Sequence, residues 1–392
     1  VTIRLLTGDC RDVLATLPEA SVHCVVTSPP YYGLRDYGTA QWEGGDAACD
    51  HAQPIRPQRD NSGGLVNNRL DTRGNQSWSD ATGKAQYRDV CGKCGARRVD
   101  RQLGLEATPE AYLAAMVEVF RAVRRVLRDD GTCWVNIGDS YAGGAQYGAA
   151  RSGEYIGDGG KAPPNVRNRN GVGAVSGAKP KDLLLMPARL ALALQADGWW
   201  IRSDIIWHKP NPMPESCTDR PTSAHEHVFL LSKRKTYFYD ADAVKEDGSG
   251  RACGNRVYKY DGLAGHETKQ GVLKVADVEW HMRSCRNVWT IPTAPFADAH
   301  FATFPPALVE RCIRAGTKLG DTVLDPFVGS GTTALVADRL QRHAIGIDLS
   351  IDYAAMAQRR LEDDCPLFTA WAPAETDAQD ERMRDLFSAA AD

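Results

Sequence analysis

The sequence predicts an α/β protein built on a doubly wound, mostly parallel sheet with loop-rich insertions. Three observations predict it. Apolar runs such as Val22 to Val26, Thr132 to Ile137 and Thr322 to Leu324 are nearly continuous. Stretches of helical spacing alternate with them, and glycine- or proline-rich turns follow where they end. A strand apolar on every residue is buried on both faces, which a parallel sheet achieves when helices cover it from both sides.

In chain order, Val1 to Leu6 reads as a strand ending at Gly8-Asp9, followed by a helical stretch to Leu17 and the strand Val22 to Val26. That strand stops at Thr27-Ser28-Pro29-Pro30-Tyr31-Tyr32-Gly33, where two prolines forbid both helix and central strand. From Gln41 to about Arg101 the composition shifts to Gly, Asn, Asp, Arg and Gln, the mark of an insertion. Thr108 caps the next helix, Pro109 takes its first turn, and Tyr112, Met116, Val119, Phe120, Val123 and Leu127 keep helical spacing up to Asp130-Gly131. The strand Thr132 to Ile137 runs into Gly138-Asp139-Ser140 and a Gly/Asn/Arg-rich stretch to Lys181, which its composition predicts to be flexible. A helix from Leu183 to Ala196 and strands over Trp200 to Trp207 and Glu226 to Ser232 follow, the first ending at His208-Lys209-Pro210-Asn211-Pro212. The remainder of Ser216 to Asn287 yields no assignment. The last elements are a helix from Pro306 to Ala315, a strand to Leu324, a helix over Thr332 to Leu340 and a strand over His343 to Ile347.

The chain has 392 residues, 43% of them hydrophobic and 25% charged, a globular composition that excludes disordered, collagen-like and coiled-coil classes. No apolar run approaches the ~20 residues of a bilayer span, and no signal-peptide pattern opens the sequence. A cytoplasmic protein without membrane contact is therefore expected. Eleven cysteines, most alone in apolar runs, point to reduced thiols. With 47 basic and 50 acidic residues the net charge is −3, which excludes a globally basic nucleic-acid wrapper. The charge is uneven, however: positions 56–101 carry ten Lys/Arg against five Asp/Glu, whereas the tail from Pro373 carries six acids against two Arg.

Asp325-Pro326-Phe327-Val328-Gly329-Ser330-Gly331-Thr332-Thr333-Ala334 lies between a strand and a helix and contains Gly-x-Gly-x-x-Ala. Such glycines permit a tight turn and a close approach of backbone to ligand. Nineteen residues after Gly329, Asp348 ends the next strand, where an acid accepts hydrogen bonds from ribose hydroxyls. The spacing suits an adenosine-containing cofactor. A phosphate-cradling ATPase loop is disfavoured, because Thr332 stands where its lysine belongs. A nicotinamide oxidoreductase stays open on this motif alone. Thr27-Ser28-Pro29-Pro30-Tyr31 adds a second element: stiffened carbonyls able to face a cleft, beside an aromatic ring able to stack on a planar group.

Together these residues resemble the amino-group DNA methyltransferases that use S-adenosylmethionine, with a Ser/Asn/Asp-Pro-Pro-Tyr/Phe tetrapeptide and an Asp-Pro-Phe-x-Gly-x-Gly-Thr loop in the order of the beta class. The resemblance implies a Rossmann-like methyltransferase sheet. It also implies that Asp325, Phe327, Gly329, Ser330, Gly331 and Thr332 line the methionine end of the cofactor, that Asp348 holds the ribose, that Asp9 lies near the adenine ring, and that Phe301 belongs to a helix-start element closing over the cofactor. By the same resemblance Ser28 and the Pro29 carbonyl would bind the target amino group, with Pro30 and Tyr31 completing the site and Tyr31 stacking on the extruded base. Serine in the first place is commoner in enzymes acting on cytosine N4, and aspartate or asparagine in those acting on adenine N6. Cytosine N4 is therefore expected, with adenine N6 as the alternative and a catalytically inactive DNA-binding module as the remoter one. Double-stranded DNA, a homodimer and a cognate restriction endonuclease are the implied partners.

Cys91-Gly-Lys-Cys94 is a knuckle spacing that turns two thiolates toward one tetrahedral metal. Cys49 and His51 supply two further ligands from the same insertion, and a structural zinc on Cys49, His51, Cys91 and Cys94 is expected, with the surplus arginines contacting DNA phosphates. His225 and His227 read as a surface or cleft feature rather than a second metal site. The expected organisation is one methyltransferase domain from 1–40, 102–140, 182–235 and 290–365. Interrupting it are a zinc-binding insertion at 41–101, a flexible loop at 141–181 and a target-recognition region at 236–289, and an acidic tail at 366–392 follows.

Overall fold

The computed structural model describes residues 1–33, 39–54, 84–87, 90–143, 171–174, 178–212, 214–215, 217–247, 282–294 and 305–364. Eight strands form the main sheet: β1 (Ile3–Thr7), β2 (Val22–Thr27), β3 (Leu127–Ile137), β4 (Trp200–His208), β5 (His225–Ser232), β6 (Val288–Thr290), β7 (Thr322–Asp325) and β8 (His343–Asp348). Their spatial order is β1-β8-β7-β2-β3-β5-β4-β6. All run parallel except β5, which is antiparallel to both β3 and β4. The mostly parallel, doubly wound class expected from the apolar strands is what the chain adopts.

Helices cover both faces, which is why the central strands carry apolar residues in succession. On one face α1 (Cys10–Thr16), α2 (Pro109–Val126) and α3 (Met186–Ala196) bury Leu14, Tyr112, Met116, Phe120, Leu190 and Leu194. On the other, α4 (Pro306–Gly316), α5 (Thr332–Arg339) and α6 (Ile351–Asp364) bury Leu308, Val309, Ile313, Leu335 and Leu361. The Thr108 hydroxyl accepts the Ala111 N–H at 3.1 Å and starts α2 where the capping pattern predicts.

Several boundaries differ from the sequence reading for identifiable reasons. β3 begins at Leu127 rather than Thr132, because Leu127 already pairs with Val22 of β2 before a register shift admits the exposed Arg128-Asp129-Asp130. α3 begins at Met186 rather than Leu183: Leu183 bridges to Tyr141, Leu185 takes a left-handed φ of 54°, and the Met186 N–H bonds the Asp139 carboxylate at 2.9 Å. Neither β6 nor α6 was assigned from the sequence. β6 adds Val288–Thr290 to the main sheet, straddling the boundary expected at 289/290 between the target-recognition region and the methyltransferase domain. Phe301, the acidic tail and most of the flexible loop and target-recognition region lie outside the described residues.

The chain order explains where a ligand belongs. From β7 it moves to β8 on one side, and from β2 it moves toward β3 on the other, yet β7 and β2 are neighbours through Val323–Cys24 and Leu324–Val25. Parallel sheets leave a crevice at the carboxyl ends of strands where the winding direction changes. The Ser28 turn and the Phe327 loop leave from those two ends.

Candidate active site

A cavity of about 310 Å3 opens at this edge. Asp9, Ser28, Pro29, Pro30, Tyr31, Phe327, Gly329, Ser330, Thr332 and Asp348 all line it. Residues from the two ends of the chain thus share one wall system. Asp325 and Gly331, assigned from the resemblance to the cofactor surface, are not on that wall. Asp325 is buried; its carboxylate accepts from Thr27 Oγ1 at 2.6 Å, Thr333 Oγ1 at 2.6 Å and the Phe327 N–H at 3.0 Å. It fastens the loop to the sheet from behind, and burial pushes its carboxyl up to about 6 against the pull of those hydrogen bonds. Gly331 has φ 80°, and a Cβ there would lie 2.8 Å from the Cβ of Ala357, so its role is close packing of α5 on α6.

The cofactor side is shaped by backbone and carboxylates. Gly329 has φ 51°, and an added Cβ would meet only the Phe327 carbonyl oxygen, at 3.9 Å. Its N–H donates to Asp348 Oδ2 at 3.0 Å while Ser350 N–H donates to Oδ1 at 2.8 Å, which aims that carboxylate along the cleft. Burial raises the Asp348 carboxyl to about 6, partly offset by these two donors. Asp9 caps α1; burial works to raise its carboxyl, but hydrogen bonds and charge from Arg11 outweigh it and hold it below the usual range. Arg360 of α6 donates to the Ser330 carbonyl at 3.1 Å, Ser330 Oγ at 3.2 Å and Thr332 Oγ1 at 2.9 Å, clamping the loop from outside.

On the other side, the Tyr112 hydroxyl donates to the Pro30 carbonyl at 2.9 Å, which commits that oxygen away from the cleft. Ser28 and Pro29 remain among the residues lining the cleft. The Tyr31 ring rests on Gly138, where a Cβ would stand 2.7 Å from ring atom Cε2. The Tyr31 hydroxyl donates to Glu226 Oε2 at 2.6 Å, and Asn136 Nδ2 reaches the same oxygen at 2.9 Å. Lys209 pairs with the other Glu226 oxygen and lies 4.6 Å from the centre of the Trp207 ring. Asn136, Glu226, Tyr353 and Arg360 were not assigned from sequence, and Trp207 and Lys209, in a stretch resembling a family element near the target pocket, carried no individual role; all but Arg360 line the cleft. The histidines drew attention to β5, but strand alternation sends His225 and His227 to the face opposite Glu226. His227 there pairs with Asp204 at 2.9 Å.

Ligand atoms of Cys49, His51, Cys91 and Cys94 lie within 4.8 Å of one another, the one such cluster among the described residues. Cys49 and Cys91 sulfurs are 3.7 Å apart, too far for a disulfide, and Cys94 Sγ lies 3.5 Å from His51 Nδ1. A tetrahedral zinc needs edges of about 3.8 Å between sulfurs and about 3.6 Å between sulfur and nitrogen. Trp42 stacks on His51 with centroids 4.5 Å apart, fixing the imidazole plane. Backbone N–H groups of Asp46 and Ala96 bring the Cys94 thiol down to about 6.

A family model described as "DNA methylase", for N6 and N4 methyltransferases, matches residues 22–359. The chain belongs to this family. The methylase is 37% identical over 365 residues to the type II methyltransferase M.Cfr9I of Citrobacter freundii, covering 92% of this chain and 88% of that one. It is 36% identical over 358 residues to M.SmaI of Serratia marcescens, covering 91% and 90%. Its fold is also that of the PvuII DNA methyltransferase, titled cytosine-N4-specific, with a TM-score of 0.51 and 17% identity over 99% of this chain and 92% of that one. The methylase is thus an S-adenosylmethionine-dependent DNA methyltransferase acting on an exocyclic amino group. No helix among its described residues is long and apolar enough to cross a membrane.

Proposed function

We propose that this methylase transfers a methyl group to N4 of cytosine in double-stranded DNA after the base has swung out of the helix. The observation that carries the reading is the single cleft lined by both Ser28-Pro29-Pro30-Tyr31 and Phe327 to Ser330. The serine that opens the tetrapeptide favours cytosine over adenine. S-adenosylmethionine supplies an electrophilic methyl group on a sulfonium. The walls suit that molecule: Gly329 leaves room a side chain would fill, Asp348 offers acceptors for ribose hydroxyls, and Phe327 offers an apolar face.

The exocyclic amine is a poor nucleophile because its lone pair is delocalised into the ring. Acceptors at Ser28 Oγ and the Pro29 carbonyl hold its hydrogens and favour a more tetrahedral nitrogen, so the lone pair is available for in-line attack. No cysteine nucleophile is needed. Extruding the base costs a few kcal/mol, part of which stacking on Tyr31 offsets. Incubation with duplex DNA and labelled S-adenosylmethionine, followed by nucleoside digestion and mass spectrometry, is expected to yield N4-methylcytosine. N6-methyladenine overturns the choice of base, and no methylated nucleoside overturns the activity.

We infer that the Cys49, His51, Cys91 and Cys94 cluster holds a structural zinc, because its edges match a tetrahedral site and its thiols are unpaired. Elemental analysis of protein purified without chelator is expected to find about one equivalent. A cognate restriction endonuclease as functional partner accords with the type II naming of the relatives, and action on DNA implies a cytoplasmic location.

A further inference from the structure

Three polar groups stand in file, two of them the hydroxyls of the tetrapeptide itself. The Ser28 hydroxyl donates to the Tyr31 hydroxyl at 3.4 Å, and the Tyr31 hydroxyl donates to Glu226 Oε2 at 2.6 Å. Both donors point the same way, from the cleft wall toward a carboxylate. Asn136 fixes that polarity: its Nδ2 donates to the Tyr31 oxygen at 2.8 Å and to Glu226 Oε2 at 2.9 Å, so both oxygens act as acceptors toward it. The tyrosine hydrogen is left for Glu226. The family tetrapeptide ends in tyrosine or phenylalanine, so stacking does not require this hydroxyl.

We propose that Glu226 is the terminal acceptor of a proton relay, Ser28 to Tyr31 to Glu226, that removes the proton released when the target amine is methylated. The proposal rests on the reading of Ser28 as the group that holds the amine. As the nitrogen–methyl bond forms and the carbon–sulfur bond breaks, sulfur keeps the bonding pair and the nitrogen becomes positively charged. The nitrogen gives one proton to Ser28 Oγ, the Ser28 proton passes to Tyr31, and the Tyr31 proton passes to Glu226. The carboxylic acid so formed releases its proton to water before the next cycle. Electrostatically, the carboxylate stabilises the charge growing on the nitrogen through two intervening hydroxyls.

Glu226 is suited to the end of this chain. Lys209 from the end of β4 pairs with its far oxygen, Asn136 from β3 and Tyr31 from the loop after β2 face its near oxygen, and the neighbouring histidines of β5 lie on the opposite face of the sheet. Glu226 is the one acid among these groups, and the file of hydroxyls ends on it.

The test uses the full chain with a cognate duplex carrying 2-aminopurine at the target position for binding and the natural base for rates. E226Q is expected to slow single-turnover methyl transfer at least tenfold. The 2-aminopurine fluorescence rise and the Kd for S-adenosylmethionine are expected to stay within twofold of the unsubstituted protein. Y31F, which keeps the ring, is expected to slow transfer to the same degree, and the E226Q/Y31F pair is expected to be no slower than either alone. Unchanged rates, or losses in the pair that multiply, overturn the relay, as does a rate loss explained by weaker flipping or binding. Should E226Q fail to fold, Y31F alone decides, since it deletes one hydroxyl. If the unsubstituted protein transfers no methyl group, the function fails with the relay; if it does and the variants match it, the relay alone fails.

Discussion

Thr27 and Asp325, 298 positions apart, end two neighbouring parallel strands and are joined side chain to side chain by a buried 2.6 Å hydrogen bond. This contact ties the loop bearing Ser28 to the loop bearing Phe327 at the root of the cleft. Thr27→Val keeps the shape and removes the donor, leaving the Asp325 carboxylate short of one hydrogen bond. The variant is expected to lose about 1.5–3 kcal/mol of stability and to bind S-adenosylmethionine more weakly. Urea denaturation and calorimetry check the two effects, and a variant as stable as the parent refutes the tie.

The Asp348 carboxyl, raised by burial to about 6, has a signature in pH. An acid whose folded pKa lies above its unfolded value holds its proton more tightly when folded. Its contribution to stability is therefore full below about pH 4 and is lost as pH rises through about 6. Asp348→Asn removes this titration. The variant's stability relative to the parent is expected to rise by up to about 3 kcal/mol between pH 4 and pH 7, as measured by denaturant melts across that range. Two parallel stability profiles contradict the assignment.

Arg360 holds the cofactor loop through three contacts with Ser330 and Thr332. Arg360→Met keeps most of the aliphatic stem and removes the donors. Charged hydrogen bonds contribute about 1.5–3 kcal/mol each, so loss of the clamp is expected to weaken S-adenosylmethionine binding at least tenfold by calorimetry. An unchanged Kd means that the loop keeps its shape without the clamp.

The parts of this site legible in the sequence are those with local steric or chemical causes. Proline pairs stop a strand, glycines permit left-handed turns, and a two-residue gap between cysteines makes a knuckle; Ser28, Gly329, Cys91 and Cys94 carry such marks. The neighbouring of β2 and β7 has no local cause, because it depends on how the chain winds to either side of them. Nor does a strand's pattern reveal that Glu226 rather than its flanking histidines faces the cleft, since that requires knowing which face of β5 meets Tyr31. The resemblance put Asp325 on the cofactor surface, whereas the inward turn of its carboxylate depends on Thr27 and Thr333, one of them from the far end of the chain. Arg360 lies on a helix that was not assigned, and one arginine on a helix announces nothing.

The Cys49, His51, Cys91 and Cys94 cluster, proposed above as a zinc site, is connected to the cleft through the chain. Strand residues Gln41–Glu43 pair with Arg97–Val99 just beside the cluster, Thr39 Oγ1 bonds Asp100 Oδ1 at 3.2 Å, and the Gln102 N–H bonds the same oxygen at 3.0 Å. Thr39, Arg101, Gln102 and Leu103 then line the cleft. Four ligands held on one ion would tie both strands of this arm together at its Glu43–Arg97 end, whereas four unconnected side chains leave it to a few hydrogen bonds. Removal of the metal by a chelator is therefore expected to lower Tm and to weaken S-adenosylmethionine binding at least fivefold, with both restored by zinc. Cys91→Ser is expected to reproduce the loss without rescue by zinc, because a neutral serine hydroxyl is a poor replacement for a thiolate ligand. If chelation lowers Tm but leaves cofactor affinity intact, the arm is stabilised by the metal without transmitting its order to the cleft wall.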